Sequence, residues 1–262
     1  MTDTRPPRFE RYVAIGDSST EGMNDPDGRG GYRGWANRLA ERIAQEQGSL
    51  LYANLAIRGR RTRQIRNEQL APALAMRPDL VTLFAGTNDA VAKQFDEAAV
   101  AADLAHMQRR LIAGGATVLG FTLPDLTPVM PLGKRLAPRV EALNEMLRSV
   151  AASTGAILVD FAADPAASDR RIWSADGFHA NAIGHTRIAA ALAHALGLSD
   201  IGGALLDPLP AQAPAGYLRR LGRDTRWTVQ HFLPWIWRHA RGRSSGDERA
   251  PKRPELRPVA FD

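Results

Sequence analysis

Residues 11–22 read Arg11-Tyr12-Val13-Ala14-Ile15-Gly16-Asp17-Ser18-Ser19-Thr20-Glu21-Gly22. A short apolar run ends at a glycine and breaks at once into a polar stretch. The run shows no polar alternation, which is the pattern of a parallel strand covered on both faces. In open parallel sheets, ligands bind beyond the carboxyl ends of the strands. Ser18 therefore stands where a functional side chain is expected.

Four further runs of the same kind follow: LLYANL at 50–55, LVTLFA at 80–85, ATVLGF at 116–121 and AILVDF at 156–161. Between them, apolar residues recur at helical spacing, as in Trp35-Leu39-Ile43, Val100-Leu104-Met107-Leu111 and Val140-Leu143-Leu147-Val150. Strand and helix alternate through residue 196. Parallel strands need crossovers, normally right-handed helical ones. The expected architecture is a three-layer α/β/α sandwich around a mostly parallel, five-stranded sheet, spanning residues 8–199. After that the rhythm stops. Residues 200–262 read as a Pro/Gly/Ala-rich linker, an aromatic and basic helical segment (RWTVQHFLPWIWRHARGR) and a loose charged tail.

The 262 residues contain no cysteine, which excludes disulfides, a thiolate nucleophile and cysteine-ligated metal centres. The opening MTDTRPPRFERYVAIG lacks an apolar signal core, so a cytoplasmic address is expected. The longest uncharged apolar stretch, Leu111 to Pro124, is broken by glycines and a proline and falls short of the roughly 20 residues of a membrane span. The net charge is +6, and residues 203–262, with eleven Lys and Arg against six Asp and Glu, carry +5 of it.

Chemistry is sought at the strand ends. A serine hydroxyl needs a neighbouring base to act as a nucleophile, and N–H donors nearby to hold the oxyanion it generates. Ser18 suits that role, although a Ser/Thr helix cap explains the same residue. The third strand ends in Ala85-Gly86-Thr87-Asn88-Asp89, making Asn88 a candidate oxyanion donor; Asn-Asp also makes ordinary turns. The second strand leads to Arg58-Gly59-Arg60, where Gly59 could offer an unobstructed backbone N–H or simply form a turn. Far along the chain, Asp176-Gly177-Phe178-His179 precedes an apolar helix from Ile183 to Leu196. Its carboxylate and imidazole, three residues apart, can fix one tautomer so that the other ring nitrogen takes a serine proton. Alone, it could be a surface turn.

Together, Gly16-Asp17-Ser18, Gly59, Gly86-x-Asn88-Asp89 and Asp176-x-x-His179 resemble the four blocks of the SGNH (GDSL-type) hydrolase family, in the family's order, over about residues 10–197. The high Ala/Arg content and the carboxyl-terminal PWIWR…GRSSGD…PKRP pattern are similar to actinobacterial members. The resemblance implies a flavodoxin-like SGNH fold and a carboxylic ester hydrolase, with Ser18 as nucleophile, His179 as base then acid, and Asp176 as the orienting carboxylate. It also implies an oxyanion hole made from the Ser18 and Gly59 backbone N–H groups and the Asn88 amide. No cofactor or metal is expected. One departure is Ser19, which stands where the GDSL pattern has leucine.

Arg58, Arg60, Arg61 and Arg63 crowd Gly59, and local salt bridges are the simpler reading over contact with an anionic substrate. Asp17 and Asp89 are read as hydrogen-bonding loop backbone rather than as catalytic groups. His185 lacks a metal-binding pattern around it, and His106 and His194 read as helix-face residues. The loops 123–135 and Met23 to Trp35 are expected to line the pocket and to favour an uncharged, modestly apolar acyl group on a small-molecule ester. Sugar O-deacetylation, thioester hydrolysis and lysophospholipid hydrolysis remain rivals within the same chemistry. From another class, a non-catalytic binding module on a doubly wound sheet is the alternative, although it lacks a phosphate-binding glycine motif. The aromatic segment, with Trp227, Phe232, Trp235 and Trp237 among Arg226, Arg238, Arg241 and Arg243, is expected to pack on its own domain. Peripheral membrane contact is the rival, and nucleic acid is not an expected partner.

Overall fold

The computed structural model describes residues 8–198, 207, 209–210, 217–234, 237 and 245–260. The linker residues 199–206 and 211–216, together with Trp235, Arg238, Arg241 and Arg243, lie outside the described residues, as does the side chain of Phe232.

The five expected strands form as β1 (Arg11–Gly16), β2 (Leu51–Asn54), β3 (Leu80–Phe84), β4 (Thr117–Phe121) and β5 (Ile157–Val159), all parallel to one another. Helices α1 (Ser18–Glu21), α2 (Gly34–Gln47), α3 (Thr62–Ala75), α4 (Thr87–Ala90), α5 (Glu97–Ala113), α6 (Gly133–Thr154) and α7 (Ala182–Ala195) alternate with them, and α8 (Tyr217–Trp227) follows. Helix α2 packs on α7, whereas α5 packs between α3 and α6. Trp35, Leu39 and Ile43 of α2, and Leu104, Met107 and Leu111 of α5, are fully buried, so the spacing that predicts those helices is the spacing that seats them on the sheet.

The strand order is β5-β4-β3-β1-β2, extended beyond β2 by a sixth strand, β6 (Arg253–Pro258), which runs antiparallel. This corrects both the five-strand count and the loose-tail reading of the carboxyl-terminal stretch. The prolines of β6 are tolerated because an edge strand pairs on one side only. Arg253 donates to the Tyr52 carbonyl (2.8 Å) and Val259 N–H donates to that of Leu50 (3.0 Å), so β6 closes the open side of β2. Connections leave β1 and β3 in opposite directions along the sheet. Their carboxyl ends thus form the crevice where such folds bind ligands.

Candidate active site

Strand β1 delivers Ser18 through an unusually tight turn. A Cβ on Gly16 would lie 2.3 Å from the Thr20 hydroxyl and 2.6 Å from the Phe84 carbonyl, so only glycine lets β1 end this close to β3. Buried Gln69 of α3 fastens the spot, accepting from the Gly16 N–H (2.8 Å) and donating to its carbonyl (2.9 Å). Asp17 then caps α1 by accepting from the Ser19 N–H (3.1 Å). Ser18 is the first helical residue, and its own N–H has no intrahelical acceptor. Burial pushes the Asp17 carboxyl up to about 7, against the pull of the Ser19 N–H and the Asn88 amide.

His179 is placed by a turn closed by the Ser174 N–H on the His179 carbonyl (2.9 Å). Its Nδ1 lies 2.8 Å from Asp176 Oδ2, and its Nε2 lies 2.8 Å from Ser18 Oγ. These partners assign the Nδ1–H tautomer, which leaves Nε2 to accept the serine proton. Asp176 also accepts from the Phe178 and His179 N–H groups (2.9 and 3.0 Å), the Ser174 hydroxyl (2.5 Å) and the Asn24 amide (2.8 Å). Burial would raise its pKa; hydrogen bonds from His179 and Ser174 outweigh burial and hold it well below the usual carboxylate range. Beneath the turn, Arg170 donates to the carbonyls of Trp173 (3.0 Å) and Ser174 (2.7 Å).

Gly59 adopts φ +75°, a left-handed conformation that suits glycine. With Ser18 and Asn88 it lines one cleft. The Asn88 amide donates to Asp17 Oδ2 and to the Arg60 carbonyl, both at 3.0 Å, so both of its protons are engaged in this state. Asp89 accepts from the N–H and hydroxyl of Thr62 (2.9 and 2.8 Å), the loop-bracing part read from the sequence for it and for Asp17. Arg58 pairs with Glu21, Arg60 with Glu68 (2.8 Å) and Arg63 with Asp103 (2.5 Å); Arg61 and Arg63 both line the cleft.

Buried His185 accepts from the Trp35 N–H (3.1 Å) and donates to the Met23 carbonyl (2.9 Å). Burial lowers its pKa to about 4, keeping the ring neutral while it ties α7 to α2.

Two recesses meet at Ser18 and His179. One is a small apolar pocket of about 70 Å³ under Phe84, Phe121, Phe161 and Trp173. The other is a wide cleft of about 1250 Å³ whose apolar wall includes Met130, Leu132, Phe178 and Trp227. The loop 123–135 contributes to both as expected. Of the stretch from Met23 to Trp35, only Met23 and Asn24 reach the cleft; Trp35 is fully buried in the core, donating to the Ser19 hydroxyl (3.2 Å). Sequence reading missed Asn24, Gln69, Arg170 and the contact of Trp227, whose indole N–H donates to the Asp176 carbonyl (2.5 Å). Asn24, Gln69 and Trp227 reach their partners only through the fold, whereas Arg170 bonds carbonyls three and four residues further along the chain.

Residues 14–187 match the model of the GDSL-like Lipase/Acylhydrolase family. TesA aligns with a TM-score of 0.61 at 24% identity, over 71% of this chain and 98% of its own. A catalytic mutant of Axe2, an acetylxylan esterase from Geobacillus stearothermophilus, aligns with a TM-score of 0.61 at 17% identity, over 74% and 97%. LAE5, an alpha/beta hydrolase enzyme from the metagenome of Lake Arreo, Spain, does so at 0.61 and 20% identity, over 72% and 95%. At these identities the likeness shows the fold. No curated protein sequence matches. With the family model spanning more than half of the chain, the protein belongs to the GDSL-like lipase/acylhydrolase family and is a carboxylic ester hydrolase.

Proposed function

We propose that Ser18 is the nucleophile of this hydrolase, His179 its base and then its acid, and Asp176 the group that orients His179. The reading rests on the continuous chain from Ser18 Oγ through the imidazole to Asp176, with both contacts at 2.8 Å. Ser18 Oγ attacks the ester carbonyl while Nε2 takes its proton. The tetrahedral oxyanion accepts from the Ser18 and Gly59 N–H groups and from the Asn88 amide, which must turn one proton away from Asp17 or the Arg60 carbonyl. Collapse expels the alcohol, which receives the proton from His179. Water, deprotonated by the same nitrogen, then attacks the acyl-enzyme and frees the acid and Ser18.

The apolar wall of the cleft supports an uncharged acyl group of modest size on a small-molecule ester. Nitrophenyl acetate, butyrate and octanoate, assayed with wild type and Ser18→Ala alongside fluorophosphonate labelling, test the reading. Hydrolysis and labelling are both expected to vanish in Ser18→Ala, with a turnover loss of at least about 10³-fold. A Ser18→Ala protein that keeps either one would sink the assignment. Equal rates across the three acyl lengths would count against the apolar preference.

A further inference from the structure

An oxyanion hole is only as good as the aim of its donors, and the aim of the Gly59 N–H is set by a peptide plane. That N–H and the Arg58 carbonyl belong to one planar, trans peptide unit, so holding the oxygen holds the hydrogen at the opposite end. Glycine supplies little stiffness of its own. The orientation must come from what touches the unit.

Arg58 is held at three points. Its N–H donates to Glu21 Oε2 of α1 (2.9 Å), and its guanidinium pairs with Glu21 and lies over the Tyr32 ring, 5.2 Å from the centroid. Its carbonyl oxygen meets Gly246, in a turn at residues 245–248 far along the chain. Gly246 is buried, and a Cβ there would overlap the Arg58 carbonyl oxygen and lie 3.0 Å from Ile57 Cγ2. The overlapped atom is backbone, so no side-chain rotation relieves it, and only glycine lets the turn rest on this carbonyl.

On the other flank of Gly59, Asp247 lies 3.8 Å from the guanidinium of Arg60, whose carbonyl accepts from the Asn88 amide (3.0 Å). Ser245 and Asp247 line the same cleft as Ser18, Gly59 and Asn88. Strand β6 follows the turn and ties it to β2, the strand that leads into the Gly59 loop. The residues matched by the family model end at 187, so this brace stands outside them.

We propose that Gly246 is a positioning residue of the oxyanion hole: seated on the Arg58 carbonyl, it aims the Gly59 N–H at the oxyanion, while Asp247 steadies Arg60. This role rests on the catalytic reading in which Gly59 donates.

Gly246→Ala and Asp247→Asn are compared with wild type and Ser18→Ala, active sites being counted by fluorophosphonate labelling taken to completion. The readouts are nitrophenyl acetate hydrolysis and inhibition by an alkyl trifluoromethyl ketone, whose adduct with serine is a tetrahedral oxyanion. Per labelled site, Gly246→Ala should lose at least about tenfold in kcat with KM unchanged, short of the roughly 10²–10³ that a missing donor costs. Its inhibition constant for the ketone should rise by the same factor. If Gly246→Ala does not fold, Asp247→Asn decides, since it adds no bulk at an exposed site. It should shift both quantities by about two- to threefold. A merely structural role lowers the number of labelled sites and leaves kcat per site and the inhibition constant at wild-type values, which overturns the proposal. A fall in kcat without a matching rise in the inhibition constant overturns it too. An inert wild type, or a Ser18→Ala protein as active as wild type, instead defeats the catalytic reading, and this role falls with it.

Discussion

Asp17 sits beside the serine with its carboxyl buried, and its protonation is therefore tied to folding. Its pKa rises from 3.8 to about 7 in the folded chain, so the native state holds this proton more tightly than the unfolded state does. The stability gained from that proton is fully present below about pH 4 and is lost as the pH rises through about 7. Asp17→Asn keeps an acceptor for the Ser19 N–H and removes the buried charge. We expect it to be more stable than wild type at pH 8 by roughly 1–4 kcal/mol, with the gap closing towards pH 4. Urea melts at the two pH values measure this, and an equal gap at both would refute it. At the same scale, Ser18, Gly59, Asn88, Asp176 and His179 were legible because each sits in a short motif following a strand or opening a late loop. Asn24 and Gln69 were not. Their partners lie 152 and 53 residues away in the chain, and no local rule links an amide to so distant a carboxylate or backbone.

The regular elements were readable wherever one periodicity held without interruption. Strands β1, β3 and β4 are runs buried almost throughout by parallel neighbours, β5 at the sheet edge leaves Ile157 exposed, and helices α2, α5 and α6 repeat their apolar residues at one-turn spacing. The aromatic segment from Arg226, expected to dock on its own domain, shares only Arg226 and Trp227 with α8; which residue docks, and on what, depends on the shape of the loop beneath it. The indole N–H on the Asp176 carbonyl makes Trp227 a positioning residue for the turn that carries His179. Trp227→Phe keeps the ring and removes the donor, leaving a carbonyl without that partner. A lost hydrogen bond of about 1 kcal/mol predicts a three- to tenfold lower kcat on nitrophenyl acetate with KM unchanged. If KM rises instead while kcat holds, Trp227 acts as a contact for substrate and not through the turn.

Across the whole molecule, the carboxyl-terminal stretch is integrated where its composition suggested a loose end. Lys252, although exposed, donates to the carbonyls of Tyr32 and Arg33, both at 2.9 Å. A Cβ on Gly246 would lie 1.9 Å from the Arg58 carbonyl, so this segment lies directly against the loop that presents Gly59. The lysine, the glycine and the bond of Arg253 to Tyr52 were invisible in a charged, proline-rich sequence because their meaning lies in a sheet edge formed elsewhere. Deleting residues 245–262 removes all of them, and we expect the melting temperature to fall by roughly 5–10 °C. Differential scanning calorimetry decides it, an unchanged transition showing that β6 adds nothing. Strand order also sets a timetable for biogenesis. Asn54 of β2 leaves the ribosome nearly two hundred residues before Arg253, its partner in β6. Chains fold as they emerge, amino-terminal parts first. Each nascent copy therefore presents the bare flank of β2 throughout most of its own translation, and crowded polysomes carry that flank in many copies at once. Synthesis rate, and not only the finished fold, thus governs how much of this protein escapes self-association while it is being made.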